Sequence, residues 1–207
     1  MSSTKQKIII VGGTGFVGQG IISELNSELF DIHSFSRHGA TETSNRKATY
    51  HSVNLSKLDE WESFIHDADW IIDAVGILLP NPLKNQTYEN SSLKPAQQII
   101  DVLVKETRPK FLFISANAGP FFMKPYLKAK RSVEDYMQEN ISGRSFVVYP
   151  GIIYDKARKS SYYPAIALTY LSSISYFKKF RPIKRSDFSK NIQKILTGKP
   201  SSLQQKI

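Results

Sequence analysis

The chain has 207 residues, a formal net charge of +10 and no cysteine. This length predicts one domain over residues 1–207, and a chain without cysteine excludes disulfides, thiolate catalysis and cysteine-based zinc sites. Residues 1–7 form a short polar start that predicts neither a signal peptide nor a transit peptide, so we expect a cytoplasmic protein.

Apolar runs alternate with amphipathic segments along the chain. The apolar runs predict strands at residues 7–11, 31–36, 48–53, 70–75, 110–115 and 145–149. The amphipathic segments predict helices at residues 15–29, 57–66, 92–106, 126–139, 164–177 and 187–196. This alternation is typical of an α/β fold with a doubly wound, Rossmann-like parallel sheet, here followed by a short helical C-terminal segment. Because ligands of such sheets bind beyond the carboxyl ends of the strands, we expect a small-molecule substrate at loops 37–47 and 78–87.

A glycine-rich turn follows the first predicted strand. Its sequence, Gly12-Gly13-Thr14-Gly15-Phe16-Val17-Gly18, fits both the G-x-x-G-x-x-G and the G-x-G-x-x-G spacing. A turn of this kind lets backbone N–H groups approach a diphosphate, whose charge is stabilised by the N-terminus of the following helix. We therefore predict a dinucleotide site. Its contacts would come from Gly12, Thr14, Gly15, Phe16, Val17 and Gly18.

The end of the second predicted strand bears on the choice of cofactor. An acidic residue there would bind the ribose 2′-OH of NAD, but this chain has Ser36 followed by Arg37 and no carboxylate before Glu42. A guanidinium pairs with a 2′-phosphate, so the sequence predicts NADP (NADPH) in preference to NAD. The alternative, that Arg37 is only a solvated loop residue, stays open.

Tyr126 and Lys130 are four residues apart on the fourth predicted helix. They share one stripe with Val133 and Met137, whereas Lys128, Arg131, Glu134 and Asp135 are predicted to lie away from it. A lysine on such a stripe either reaches water or serves a function, because burying an unpaired ammonium is costly. If Lys130 serves a function, its ammonium would lower the pKa of Tyr126 toward neutrality and so prepare the phenol for acid/base catalysis. Ser115 would hydrogen-bond the same substrate oxygen, with Asn117 as a less certain helper.

The remaining polar residues give weaker signals. Asp73 lies in an apolar strand and is predicted to be a satisfied interior carboxylate. The four histidines have no metal-ligand spacing, so no metal site is predicted. The chain shows no nucleic-acid-binding motif, and we expect no nucleic-acid partner despite the positive charge.

These motifs together resemble the short-chain dehydrogenase/reductase superfamily. The resemblance is carried by the glycine turn, Ala74-Val75-Gly76, Phe113-Ile114-Ser115-Ala116 and the Tyr126/Lys130 pair. Gly76-Ile77-Leu78-Leu79 and Tyr149-Pro150-Gly151 are similar to its atypical, epimerase/dehydratase-like branch, near the nucleotide-binding accessory subunit of respiratory complex I and a coenzyme Q biosynthesis protein of yeasts. The likeness covers about residues 6–155 well and the tail loosely.

The resemblance implies roles for particular residues. It makes Ser115, Tyr126 and Lys130 the catalytic set, with Lys130 also holding the nicotinamide ribose. It adds cofactor contacts at Ala74, Val75 and Gly76, beside Ser36 and Arg37. Two departures bear on this transfer: Tyr149 stands where relatives usually have arginine, and residues 151–207 supply less chain for a substrate than many relatives have.

Positive charge is concentrated in the last quarter of the chain. Residues 1–155 carry 16 Lys+Arg against 17 Asp+Glu, whereas residues 156–207 carry 12 against Asp187 alone. This basic C-terminal segment predicts either a solvated surface or peripheral contact with an anionic membrane. Its uncharged stretch, residues 160–177, predicts a helix that closes the core or lies at a lipid interface, but no transmembrane helix.

Two functions follow from these features. The first is an NADP-binding oxidoreductase that transfers a hydride to or from a small, apolar carbonyl or quinone-like substrate. The second is a non-catalytic NADPH-binding sensor or accessory/assembly protein, for which the glycine turn and Arg37 matter and Tyr126 does not. The sequence predicts neither the substrate nor the oligomeric state.

Overall fold

A parallel sheet of six strands forms the centre of the structure, a computed structural model that describes residues 4–42, 44–81, 83, 85–171 and 179–206. The strands are β1 (Gln6–Val11), β2 (Phe30–Ser36), β3 (Ala48–Ser52), β4 (Trp70–Asp73), β5 (Lys110–Ile114) and β6 (Ser145–Val148). Their spatial order is β3-β2-β1-β4-β5-β6, and every neighbouring pair is parallel. The doubly wound, Rossmann-like sheet is therefore confirmed, and its direction of winding reverses between β1 and β4.

Helices cover both faces of the sheet. They are α1 (Phe16–Glu24), α2 (Lys94–Leu103), α3 (Lys124–Ile141), α4 (Lys159–Leu171) and α5 (Arg185–Leu196). Because side chains alternate along a strand, Ile8 and Ile10 of β1 pack with α1 and α5, while Ile9 and Val11 pack with α2 and α3. Strand β1 is thus buried on both faces, which explains its continuous apolar run.

The helix predicted over residues 57–66 is wrong. Two 3₁₀ turns, Leu58–Glu60 and Glu62–Phe64, occupy this segment. Trp61 interrupts them with φ −144°, lies 1% exposed in the core, and donates its indole N–H to the carbonyl of Leu55 at 3.2 Å. Burying the large indole in this short connection takes precedence over a continuous helix.

Other boundaries differ from the predicted ones by smaller amounts. Helix α1 ends at Glu24 rather than at residue 29, because Leu25 adopts an extended conformation. A π-helical turn, Glu89–Leu93, precedes α2. Helix α4 begins five residues before the predicted helix, and residues 172–177 of that prediction lie outside the described part of the chain.

The chain after β6 adds α5, which packs with α1 on one face of the sheet, and a small second sheet beyond the end of β6. Two short strands that the sequence did not reveal, β7 (Ile153–Tyr154) and β8 (Ile183–Lys184), pair in parallel there. The approach is close at Gly151, where an added Cβ would lie 1.4 Å from the carbonyl oxygen of Phe180. Within the described ranges, no helix combines the length and hydropathy needed to span a membrane.

Candidate functional site

The glycine turn between β1 and α1 is held by its own backbone. Gly12 has φ +83°, and the N–H of Gly15 donates to the carbonyl of Gly12 at 2.9 Å. A Cβ on Gly18 would lie 2.4 Å from the oxygen of Gly12 and 2.6 Å from the Cα of Gly13. Among the described residues no side chain caps α1, and the first turn of this helix has no acidic residue. The N-terminal N–H groups of α1 are therefore available to an anion.

A cleft of about 610 Å³ opens beside this turn, at the carboxyl ends of β1, β2 and β4. Its volume suits a bound small molecule. Most of the predicted cofactor residues line it, namely Gly12, Thr14, Gly15, Ser36, Arg37, Ala74, Val75 and Gly76. Phe16, Val17, Gly18 and Lys130 are not among the lining residues. The structure thus brings eight of the twelve predicted residues around one cleft. Contacts of any of them with a cofactor stay a prediction.

Arg37 occupies the rim of the cleft at the end of β2. Its side chain is exposed, and within the described chain it forms no ion pair. The backbone around it is fixed, because Ser52 donates its hydroxyl to the carbonyl of Arg37 at 3.1 Å and Ser36 donates to that of Gly39 at 3.2 Å. An exposed guanidinium is therefore attached to a fixed backbone at the rim and has no ion pair with the described residues.

Sequence reasoning missed several lining residues on the opposite wall. They are Asn85, Gln86, Asn90, Ser91, Lys94 and Gln98, from the loop after β4 and the start of α2. The loop itself was expected to bind substrate because it follows a strand. Its individual residues carry no motif, so no sequence signal could have singled them out.

Asp73 and Lys130 are both buried beneath the cleft, where their charges attract each other but do not form an ion pair. Asp73 is fully buried; its Oδ1 accepts the N–H of Val75 at 2.9 Å, and its Oδ2 has no hydrogen-bond partner among the described residues. The expectation that Asp73 is a satisfied carboxylate is therefore wrong for one of its two oxygens. Burial raises the pKa of Asp73 from its ordinary value of 3.8 to about 6, although the ammonium of Lys130 opposes this shift.

Lys130 is 4% exposed and points at the sheet. Its Nζ donates to the carbonyl of Ile114 at 2.7 Å and lies 4.5 Å from the ring centroid of Phe113. Burial lowers the pKa of Lys130, against the attraction of Asp73 and Glu134. A Cβ added to Gly76 would lie 3.6 Å from this Nζ, so the ammonium sits directly behind the cleft lining.

The raised pKa of Asp73 predicts how stability depends on pH. Between about pH 4 and pH 6 the folded protein binds more protons at Asp73 than the unfolded chain does, so ionising it lowers the free energy of unfolding as pH rises. An Asp73→Asn variant has no carboxyl group to ionise at this position, so its free energy of unfolding does not fall with pH for this reason. We expect its free energy of unfolding, relative to that of the unmodified protein, to increase by up to about 3 kcal/mol from pH 4 to pH 7. Urea denaturation across this range, with Asp135→Asn as the exposed control, would contradict the assignment if both variants showed the same trend.

Tyr126 does not have the environment that the sequence predicted. Its ring centroid is 6.0 Å from the Nζ of Lys130 and 5.8 Å from the ring of Tyr88. Burial, with a further contribution from Tyr88, raises the pKa of Tyr126 to about 12, and Arg131 only partly opposes this. The expectation of a lowered pKa is wrong in this structure, because the ammonium is directed at a backbone carbonyl rather than at the phenol oxygen.

Ser115 belongs to a polar network centred on Glu134. The Ser115 hydroxyl donates to Glu134, and Arg131 donates both to Glu134 and, at 3.2 Å, to the Ser115 oxygen. The second oxygen of Glu134 accepts from Tyr149 at 3.2 Å and from Lys206 at 2.9 Å. Burial favours the neutral acid, but hydrogen bonds from Ser115, Lys206 and Arg131 hold the pKa of Glu134 below its ordinary value.

This network corrects the predicted faces of α3. Lys130, Val133 and Met137 are buried as expected. Arg131 and Glu134, which were expected to lie away from the buried stripe, instead reach the end of β5, where Arg131 also donates to the carbonyl of Ala116 at 2.8 Å. Ser115 is consequently 2% exposed and bound to protein groups rather than open to the cleft.

Two arginines from the last quarter of the chain flank Phe16. The guanidinium carbons of Arg158 and Arg185 lie 4.7 Å and 4.9 Å from its ring centroid. Arg185 is paired with Asp155 at 3.2 Å, whereas Arg158 forms no ion pair with the described residues. Arg158 therefore leaves an uncompensated positive charge near the positive end of α1, where a bound anion would be favoured.

Comparisons with known proteins agree with this architecture. The model of the NAD dependent epimerase/dehydratase family matches residues 8–142. MIOREX complex component 2 of Saccharomyces cerevisiae is 25% identical, over 74% of this chain and 75% of that protein.

The solved structures that resemble this chain show the same fold. One is WbmF of Bordetella bronchiseptica in complex with NAD+ and UDP, at a TM-score of 0.58 and 14% identity over 73% of this chain and 51% of WbmF. Another is a mutant UDP-glucuronic acid 4-epimerase of Bacillus cereus in complex with NAD, at a TM-score of 0.70 and 13% identity over 97% of this chain and 76% of that chain. The chain thus spans about half the length of WbmF.

Proposed function

The chain belongs to the NAD dependent epimerase/dehydratase family, and from this membership we propose that it is an NADP-binding oxidoreductase of the short-chain type. Its substrate would be a small, apolar carbonyl or quinone-like compound. One observation carries the proposal. The glycine turn before α1 borders a cleft that has Arg37 on its rim, and the buried Lys130 lies behind the lining of this cleft at Gly76. The predicted cytoplasmic location is part of the same proposal.

Each group around the cleft has a role in this proposal. The N–H groups at the start of α1 would bind the diphosphate, and Arg37 would pair with the 2′-phosphate. Lys130 would hold the nicotinamide ribose from behind Gly76. The cofactor, when bound, supplies or accepts a hydride.

The raised pKa of Tyr126 bears on its part in proton transfer. A phenol with a pKa of about 12 is protonated at neutral pH, so Tyr126 would donate a proton to a substrate oxygen rather than remove one. Proton donation to the oxygen of a carbonyl accompanies its reduction to the alcohol. In its protonated form Tyr126 would therefore serve carbonyl reduction.

A second function is supported by the state of Ser115. Its hydroxyl is engaged by Glu134 and Arg131, so it is not free to orient a substrate oxygen. The same cleft therefore also suits a protein that binds NADPH without turnover, as a sensor or an accessory/assembly factor.

The cofactor preference is tested by calorimetric titration with NADPH and NADH. We expect tighter binding of NADPH, and we expect Arg37→Gln to weaken NADPH binding by about 10- to 100-fold while leaving NADH binding unchanged, since only NADPH has the 2′-phosphate. Arg46→Gln removes an exposed cation that does not line the cleft and serves as the control. Tighter binding of NADH by the unmodified protein would contradict the preference, and no binding of either would contradict the proposed function itself.

A further inference from the structure

Five large apolar side chains are exposed on the loops beyond the carboxyl ends of β4 and β5. We call them the apolar rim: Leu78 (59% exposed), Leu79 (64%), Leu83 (100%), Phe121 (81%) and Phe122 (62%). Isolated exposed apolar residues are common on proteins, but a concentration at one end of a sheet indicates a surface that meets an apolar partner. This end is also the end at which the cleft opens.

The two loops of the apolar rim lie side by side. Tyr88 connects them, because its hydroxyl donates to the carbonyl of Leu78 at 3.1 Å and its ring lies 5.8 Å from that of Tyr126 at the start of α3. Phe121 and Phe122 immediately precede α3, with their rings 5.9 Å apart. The two loops of the rim are therefore joined through Tyr88 and Tyr126.

Exposed cations without an ion-pair partner lie in the segments that follow β5 and β6, although Arg158 among them packs on the ring of Phe16. In residues 117–128 and 149–171, which extend beyond β5 and β6, the exposed cations are Lys124, Lys128, Lys156, Arg158 and Lys159. None of these five forms an ion pair with the described residues.

The carboxylates in the segments that follow β4, β5 and β6 are already neutralised. In residues 76–93, 117–128 and 149–171 there are two, and each is paired: Glu89 with Lys94 at 3.0 Å and Asp155 with Arg185 at 3.2 Å. The surface thus combines exposed apolar groups with uncompensated positive charge. This combination is typical of proteins that lie on anionic lipid bilayers.

We propose that the apolar rim inserts into the boundary between headgroups and acyl chains of an anionic bilayer, with the five cations against the lipid phosphates. Helix α4, which exposes Tyr163 (65%) and Tyr170 (83%), would extend the contact. A second copy of the chain is disfavoured because equal positive surfaces repel. A nucleic acid is disfavoured because the three leucines have no ring to stack on bases. The bilayer contact does not depend on which cofactor the cleft binds.

Co-sedimentation with vesicles tests this proposal. The unmodified protein is incubated with vesicles of phosphatidylcholine alone and with vesicles that contain about 30% phosphatidylserine. We expect binding to the anionic vesicles only, weakened by added salt. A Leu78→Ser/Leu79→Ser/Phe121→Ser/Phe122→Ser variant should lose about tenfold or more of this binding.

The matched control changes exposed apolar residues at the opposite end of the sheet, where the strands begin. Leu29 precedes β2 and Val104 follows α2, and both are exposed. A Leu29→Ser/Val104→Ser variant should bind the anionic vesicles as the unmodified protein does. Circular dichroism and NADPH titration on all variants separate a folding defect or an empty cleft from a lost membrane contact.

Three outcomes would overturn the proposal. One is no binding of the unmodified protein to anionic vesicles. Another is equal loss of binding in the rim variant and in the control variant. The third is light scattering that shows a dimer which only the rim variant dissociates, since the rim would then be a contact between two copies of the chain.

Discussion

Replacing Gly18 with alanine is expected to abolish dinucleotide binding. The added Cβ would lie 2.4 Å from the carbonyl oxygen of Gly12 and 2.6 Å from the Cα of Gly13, both of them backbone atoms that cannot move aside cheaply. Relief of this clash displaces the turn from the N-terminus of α1. Because a displacement of about 1 Å can cost two orders of magnitude in a positioned interaction, we expect NADPH affinity to fall by about 100-fold or more. We also expect a loss of about 2 kcal/mol in the free energy of unfolding.

Two further glycine variants separate folding from binding. Gly143→Ala is the control for stability, because nothing lies within 4 Å of an added Cβ there and its φ is not positive. Gly15→Val adds bulk at an exposed position of the cleft, where only the oxygen of Gly12 is near, at 3.1 Å. Calorimetric titration and urea denaturation should show Gly15→Val folded but weak in binding. Unchanged NADPH binding in both Gly18→Ala and Gly15→Val would contradict the assignment of the turn.

Replacing Tyr126 with phenylalanine is the prediction that separates the two proposed functions. If Tyr126 donates the proton, its removal should lower the rate of NADPH-dependent carbonyl reduction by about 100- to 10,000-fold, the usual contribution of a general acid. NADPH affinity should stay within about twofold, since the phenol is not among the groups that line the cleft. The rate is followed by NADPH absorbance over a panel of apolar carbonyl and quinone-like compounds.

The control for this variant lies on the same helix. Tyr136→Phe removes a hydroxyl that donates to Asp101 at 2.6 Å, away from the cleft, and should leave turnover unchanged. Equal turnover in Tyr126→Phe and the unmodified protein would show that Tyr126 is not the proton donor. NADPH binding without turnover in the unmodified protein would favour the sensor or accessory function.

The strands were predictable because their signal is local. Most strands of the six-stranded sheet are short apolar runs, and their observed bounds depart from the predicted ones by at most two residues, as at β4, which ends at Asp73 rather than at residue 75. The two-residue strands β7 and β8 carry no such run and were not predicted. The glycine turn was equally readable, since its spacing reflects backbone approaches that leave no room for a side chain at Gly18. Both features depend on residues close together in the chain.

The features that were missed depend on distant residues. Trp61 ends the predicted helix because the core beneath the sheet accommodates its indole, which no local pattern reveals. Glu134 accepts hydrogen bonds from Ser115 after β5, from Tyr149 after β6 and from Lys206, so its environment forms only when the chain folds. The pKa of Tyr126 follows from burial against Tyr88, a residue of another loop, rather than from the spacing to Lys130.

The position of Phe16 between Arg158 and Arg185 links the order of biosynthesis to ligand binding. The glycine turn leaves the ribosome early, whereas both guanidinium groups belong to the last quarter of the chain. A nascent chain that has only its first sheet strands therefore presents the turn without the cations that flank it. The positive charges that these two arginines place near the start of α1 are therefore present only after most of the chain has been translated.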